Sequence, residues 1–249
     1  MNKIMFRTLV LMVGISLSGL FASAQGAGGA SGGKNSAMIK LFGDLPAFSG
    51  NATVQVLTSN RVETMRMPSV FTALNGSLRI DVDEGLIKSP QVPPSDIAKL
   101  KASGLDRVNS VNRPDKKMIY IIYPHVQSYA AMPLSAEDAD LANEKLTRIP
   151  IGKETIDAHP CVKNHSVVKN AKGVVLIEAV TWNATDLQNF PIQIEVKENG
   201  NTSVTHFQSV SFARPDARLF DPPAGFKQYS DPADLGAAAL KRLSVPKKK

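Results

Sequence analysis

Apolar residues recur at every second position over much of this chain, and this period restricts it to a fold built mainly from β-strands. The clearest run covers 190–197, where the apolar positions are Phe190, Ile192, Ile194 and Val196. Because successive side chains of a strand point to opposite faces, the run predicts a sheet with one apolar and one polar face. Asn75-Gly76 and the stretch 198–201 are typical of tight turns. The pattern predicts antiparallel strands joined by short turns.

Three short segments have helical features instead. The first, 96–103, lies between Ser95 as a capping residue and Gly104 as a stop. The second, 135–143, begins at a serine followed by acidic residues, and the third covers 232–243. The sequence contains no internal repeat and no convincing interdomain linker. We therefore expect one mainly β (α+β) domain of about ten strands with two or three short helices.

The first residues have the organisation of a secretory signal peptide. Lys3 and Arg7 precede an apolar run, 9–20, that is too short to span a bilayer. The small residues at 22–24 then fit a cleavage site. We expect cleavage after Ala24 and a periplasmic or secreted protein without a transmembrane segment.

The rest of the chain divides by composition. Residues 1–24 are the signal peptide, and 25–37 are a leader rich in glycine, alanine and serine that we expect to be flexible. Residues 38–230 form the β domain. Residues 231–249 form a C-terminal helix and a basic tail.

The positive charge is concentrated at the C-terminal end. The formal net charge is +7, and five basic residues lie among the last nine. Aromatic residues are not interleaved with them, so nucleic acid is not an expected partner. A tail ending in Lys247, Lys248 and Lys249 could contact an anionic membrane surface. A solvated chain end is the more common role of such a tail.

The segment 154–168 contains the side chains that are most typical of catalytic or metal-binding sites. It holds a glutamate, two histidines and the only cysteine of the chain. With a two-residue turn at Asp157-Ala158, Glu154 would pair with Cys161, and both would share a face with His159. Such a set could form a cysteine nucleophile with its base, or part of a metal site.

Spacing argues against both kinds of site. His165 lies four positions from Cys161 on an extended strand, about 13 Å away, which is too far for one metal ion. No helix terminus or glycine-rich loop nearby would build an oxyanion hole. We therefore predict that Cys161 is a buried free thiol, that the protein is not an enzyme, and that it uses no metal or cofactor.

Three motifs occur in an order that resembles a family of exported bacterial proteins. They are GKETIDAHPC at 152–161, WNATDLQNFPI at 182–192 and VSFARPDARLFDPPAGF at 210–226. That family is similar to the LolA/LolB lipoprotein-carrier superfamily, and the resemblance covers roughly residues 40–230. It implies an open, strongly curved antiparallel half-barrel with short helices on its concave side, where the carriers hold acyl chains.

This chain departs from the resemblance in two places. Such hairpins usually have glycine where Ala158 stands, which leaves a different turn type open. No cysteine lies near the cleavage site, so a LolB-like lipid anchor is not expected.

The leading functional hypothesis is a non-enzymatic protein that binds a lipid or a lipoprotein acyl chain on an apolar concave face. The candidate lining residues follow the strand period, with an assumed register between strands: Val54, Val56, Met65, Met67, Leu78, Ile80, Met118, Tyr120 and Ile122. Methionine suits a variable apolar ligand. The alternative is a structural or protein-interaction module of the cell envelope, with Trp182 as a candidate anchor. A half-barrel and a filled sandwich have the same alternation, so this pattern leaves both open.

Overall fold

The computed structural model describes residues 34–136 and 139–244. Its helices are α1 (Lys34–Leu41), α2 (Pro94–Ser103) and α3 (Pro232–Ser244). The first six strands are β1 (Ala47–Leu57), β2 (Glu63–Leu74), β3 (Ser77–Asp83), β4 (Arg107–Arg113), β5 (Met118–Tyr123) and β6 (Ser128–Pro133). The other six are β7 (Lys145–Ile156), β8 (His159–Lys169), β9 (Val175–Ala184), β10 (Phe190–Glu198), β11 (Asn201–Ser211) and β12 (Lys227–Tyr229). Within the described ranges, none of the helices has the length and apolar character needed to cross a membrane.

All twelve of these strands belong to one sheet, in the order β12-β6-β5-β4-β3-β2-β1-β11-β10-β9-β8-β7. Two antiparallel meanders meet where β1 pairs with β11. The only parallel pair in the described sheet is β12 with β6. The sheet is open and curved, and the predicted fold class, a half-barrel with short helices on its concave side, is confirmed.

Three hairpins close with the same kind of two-residue turn. Both central residues have positive φ at Asn75-Gly76, Asp157-Ala158 and Asn199-Gly200. This is the type I′ pattern, whose twist matches that of the flanking strands. Ala158 has φ = +67°, a conformation that costs a residue with a Cβ atom about 1–2 kcal/mol. The hairpin therefore keeps its usual turn although alanine replaces glycine.

The main hydrophobic core lies on the concave face, which we define as the face that carries Val54, Met67 and Phe71. Helix α1 contacts β7, β8 and β9 and buries Ala37, Met38 and Leu41. Phe42 follows the helix and lies among four other phenylalanine rings, with centroids 4.7–6.3 Å away. They are Phe48, Phe71, Phe190 and Phe207. These rings come from four strands, so they hold the curved sheet together from inside.

The predicted helices are found with one exception. Helix α2 ends at Gly104, which has φ = +71° as a helix-stop glycine requires. The helix expected at 135–143 is not formed in the described part of that segment, which has only a 3-10 turn at Leu141–Asn143. So short a segment gains few hydrogen bonds against the cost of nucleating a helix. Helix α1 begins at Lys34, whereas the sequence predicted a flexible leader as far as residue 37.

The chain after β11 crosses the other, convex face of the sheet. Phe220 belongs to a second apolar cluster there, with Val111 and Ile122. The Arg113 guanidinium donates to the Phe220 carbonyl oxygen at 3.1 Å and to the Asp221 carboxylate at 2.7 Å. Strand β12 then pairs with β6, and α3 contacts α2. The C-terminal segment thereby covers the edge of the sheet at β6.

A carboxylic acid is buried where the chain leaves β3. Glu84 begins a 3-10 turn (Glu84–Leu86) and is 4% exposed. Burial raises the pKa of its carboxyl group well above the ordinary value, and the nearby Asp106 raises it further. At a pH between the ordinary pKa and the raised one, the folded protein therefore keeps a proton that the unfolded chain releases. Stability must then fall as the pH rises from the ordinary carboxyl pKa towards the raised one.

Glu84→Gln is expected to raise the melting temperature at pH 7 and to have little effect at pH 4. Glutamine resembles the protonated acid and removes the cost of keeping Glu84 neutral, about 1.4 kcal/mol for each unit of pKa shift. Thermal unfolding followed by circular dichroism across this pH range measures the difference. Equal pH dependence in the variant and the wild type would contradict the assignment.

Candidate functional site: the concave face of the sheet

Strand pairing brings six of the nine predicted lining residues together on the concave face. Val54 pairs with Met67 across β1 and β2, and Phe71 pairs with Ile80 across β2 and β3. Side chains two positions apart on a strand share a face, so the other members follow from these pairs. Five of the six residues are only 1–6% exposed. The six residues are Val54, Val56, Met65, Met67, Leu78 and Ile80.

The other three predicted residues, Met118, Tyr120 and Ile122, lie on the convex face. Ser110 of β4 pairs with both Ile80 and Ile121, so Ile121 continues the concave face. Its strand neighbours therefore point the other way. The assumed register was wrong at β5, because a one-residue shift exchanges the two faces of a strand. The run 118–122 is apolar on both faces, so its pattern does not indicate which set faces the core.

A cleft of about 300 Å³ lies on the concave side, between α1 with the loop that follows it and the strands below. Lys40 and Asp44 add opposite charges to its lining. The apolar part of the lining consists of Ile39, Phe42, Leu45, Pro46, Phe48, Ala73 and Leu141. Sequence reasoning missed Ile39, Phe42 and Leu45 because the segment before β1 had no strand period. The apolar residues at 38, 39, 41 and 42 were the available signal, since such spacing fits one side of a helix.

A second cleft, of about 450 Å³, lies on the convex face. Met118 and Tyr120 of β5 line it together with Tyr129 of β6 and the chain segment 221–226. The Tyr120 and Tyr129 rings meet edge to face with centroids 6.2 Å apart. Two of the predicted lining residues thus border the convex cleft, whereas none of the other six belongs to the lining of the concave cleft.

The hairpin of β7 and β8 has the predicted register, with Glu154 opposite Cys161 and Ile156 opposite His159. Cys161 is a free cysteine that is 3% exposed, and burial raises the pKa of its thiol. Its Sγ lies 3.4 Å from the carbonyl oxygen of His159, within reach as a weak donor. A protonated, buried thiol is a poor nucleophile.

The neighbours of Cys161 are paired with other groups. His159 Nδ1 lies 2.8 Å from the Asp186 carboxylate. Glu154 accepts hydrogen bonds from Lys163 Nζ and from Trp182 Nε1, both at 2.8 Å, and these bonds lower the pKa of its carboxyl group. Among the described residues, no three side chains of the types that bind metals converge. The side chains that the sequence suggested as a catalytic or metal-binding set are therefore each paired with other groups.

Trp182 is 4% exposed, so it is a buried residue. Lys163 Nζ lies 4.7 Å from the centre of its ring. At the tip of the hairpin, Asp157 Oδ2 lies 2.8 Å from His206 Nε2 of β11, close enough for an ion pair but without hydrogen-bond angles. The tip therefore reaches across β9 and β10. Trp182 would have to become exposed before it could act as an anchor for a protein partner.

No protein-family model matches the chain, and no curated protein matches it. Among solved structures, a LolA superfamily protein from Nitrosomonas europaea is similar with a TM-score of 0.38 and 10% identity, over 77% of this chain and 98% of that chain. A DUF1329 family protein from Desulfovibrio piger has a TM-score of 0.34 and 11% identity, over 75% and 94% of the two chains. The lipoprotein LppX from Mycobacterium tuberculosis has a TM-score of 0.35 and 10% identity, over 70% and 93%. At these identities and TM-scores, none of the three similarities supports a conclusion about this chain.

Proposed function

We propose that this chain is an exported, non-enzymatic protein that binds a lipid acyl chain, free or attached to a partner, on the concave face of its sheet. The observation that supports this most is the apolar cleft beside α1, which adjoins the buried apolar face of β1 and β2 through Phe48 and Ala73. Ligand clefts are mostly apolar with a few polar groups, which matches this lining. The pairing of His159 and Glu154 with groups other than Cys161 supports a role without catalysis.

The size of the cleft limits what can bind without rearrangement. About 300 Å³ is at the lower end of ligand clefts. Each buried CH₂ group contributes about 0.8 kcal/mol, before the cost of association. Because the face beyond the cleft is filled by side chains, a longer chain needs α1 and Phe42 to move outward. Met65 and Met67 are well suited to repacking around such a chain.

The charges in the cleft lining suggest how a ligand would be oriented. Lys40 lies in the last turn of α1, and Asp44 lies three residues after Leu41, where the helix ends. A carboxylate or phosphate head group would stay in water near Lys40, while the acyl chain enters between Leu45 and Phe48. Such a ligand needs no polar contact deep in the core, where an unpaired polar group would be costly.

Leu45→Glu is expected to weaken binding of a fluorescent long-chain fatty acid by at least about tenfold, because it places a charge in the apolar part of the cleft. Met118→Glu is the matched control, since both residues are half-buried and Met118 lies on the convex face. Fluorescence titration of the wild type and both variants measures the affinities. Lack of probe uptake by the wild type, or equal loss in both variants, would refute the proposal.

Export is part of the same proposal. It rests on the signal-peptide pattern of 1–24, which lies outside the described residues. N-terminal sequencing of protein purified from a bacterial periplasm or culture medium tests it, with Gln25 expected as the first residue. The proposed contact of Lys247, Lys248 and Lys249 with membranes also lies outside the described residues.

A further inference from the structure

Apolar side chains are exposed at the corner of the sheet formed by β7 and the start of β9. Eight large apolar residues of the described chain are more than a third exposed, and four of them lie here, each 49–55% exposed. They are Ile149, Ile151, Val174 and Val175. Ile149 and Ile151 lie on β7, and Val175 lies two strands away, opposite Lys145 across β8. Scattered single residues of this kind need no explanation, but two exposed pairs on one end of a sheet indicate an interaction surface.

Four lysines lie at this corner of the sheet. Lys145 pairs with Lys169, and Lys169 pairs with Val175, so the three form a row across β7, β8 and β9. Lys145 lies four residues before Ile149 on the same face, about 13 Å along the strand, whereas the bulge after Pro150 places Lys153 on the opposite face of the edge strand. Lys172 lies in the loop that carries Val174. All four lysines are exposed, and none forms an ion pair within the described residues.

The acidic residues of this corner are fewer than its lysines. Glu154 binds Lys163 and Trp182, and Glu178 lies 2.7 Å from His165. Glu144 is buried. Because exposed lysines outnumber these carboxylates, the net charge around the exposed apolar residues is positive, and a complementary partner must be negative and must accept apolar side chains.

The backbone of β7 narrows the choice of partner. β7 is the last strand of the described sheet, so its outer edge is unpaired there. Pro150 has no N–H group, and a bulge lies between Pro150 and Gly152, which together interrupt the addition of another strand. Proline and lysine on an edge strand prevent it from pairing with another chain, which explains Pro150 and the lysines. The same reason does not explain four exposed apolar side chains. An anionic bilayer surface can bind this edge without regular backbone hydrogen bonds. It attracts both the lysines and the exposed apolar side chains.

We propose that the β7 edge patch, which consists of Ile149, Ile151, Val174 and Val175 with Lys145, Lys169 and Lys172, docks on the surface of an anionic lipid bilayer. The apolar side chains enter the interface between head groups and acyl chains, and the lysines bind the phosphate groups. This inference is independent of acyl-chain binding on the concave face. It also differs from contact through the basic tail, because the patch belongs to the folded sheet.

The test is sedimentation with vesicles of phosphatidylcholine alone or mixed with an equal amount of phosphatidylglycerol. Lys247, Lys248 and Lys249 are first changed to glutamine in every sample, so that the tail does not contribute. This parent protein is expected to bind the mixed vesicles and to lose binding at high salt. In the parent, Lys145→Glu with Lys169→Glu should lower affinity at least about 25-fold, since each basic residue near an anionic surface contributes roughly fivefold.

A second variant separates apolar insertion from charge. Ile149→Ser with Ile151→Ser is expected to lower affinity by about tenfold while leaving the salt dependence in place. Val62→Ser with Lys117→Glu is the control, because both residues are exposed and lie next to β2 and β5, which are at least six strands from β7 in the sheet. It should bind much as the parent does. Circular dichroism of each variant checks that the fold is kept.

Three outcomes would overturn the inference. The patch variants could bind as tightly as the parent, or the parent could bind neutral and anionic vesicles equally. The parent could also form a dimer without vesicles that the Ile149→Ser, Ile151→Ser variant lacks. That last outcome would make the patch a protein interface instead of a membrane surface.

Discussion

Phe42→Ala is expected to lower the free energy of unfolding by about 3–5 kcal/mol, the range for a buried phenylalanine. Phe42 is buried, and its ring lies 4.7 Å from Phe48 and 5.7 Å from Phe190. The aromatic pairs add about 0.5–1.5 kcal/mol each beyond buried area. Because domains of this kind have only about 5–15 kcal/mol of stability, the loss is a large part of the total.

Urea unfolding of the variant and the wild type measures this loss as a lower midpoint with an unchanged slope. Phe226→Ala is the control, because Phe226 is only partly buried and packs at the margin of the convex cluster. The free energy of unfolding should fall clearly less in Phe226→Ala than in Phe42→Ala. An equal loss in the two variants would show that Phe42 is not the centre of the concave core.

Ile80→Glu is expected to destabilise the protein by more than about 4 kcal/mol, enough to leave much of it unfolded. Ile80 is 2% exposed on the concave face, and its strand neighbours Leu78 and Val82 are also buried there. A carboxylate at this position has no described basic partner among the surrounding apolar side chains. The variant must either bury the charge or keep it protonated, and both cost free energy.

Met118→Glu is the companion change, and we expect it to cost less than about 1.5 kcal/mol. Met118 is half-buried beside the open convex cleft, where Lys116 also contributes to the lining. Thermal unfolding at neutral pH compares the two variants. Similar losses for both would contradict the assignment of Ile80 and Met118 to opposite faces.

The local pattern of the chain was sufficient for much of the fold. Alternation, asparagine-glycine turns and Gly104 act through neighbouring residues, so the strands, the hairpins and α2 could be predicted without tertiary information. The register of the β7–β8 hairpin was also predictable, because a two-residue turn determines which residues face each other. The prediction of a helix at 135–143 was wrong because a short amphipathic pattern does not by itself offset the free-energy cost of nucleating a helix.

The composition of the candidate site depended on the tertiary structure. Each strand alternates correctly on its own, but only the pairing of β3, β4 and β5 decides that Ile121 faces inward and Met118 outward. Helix α1 could not be placed from the sequence, because its apolar residues gain their stability from strands more than a hundred residues away. The cleft beside Phe42 exists only where these distant segments meet. Local period is thus a property of the sequence, whereas the choice of face and partner follows from packing across the whole sheet.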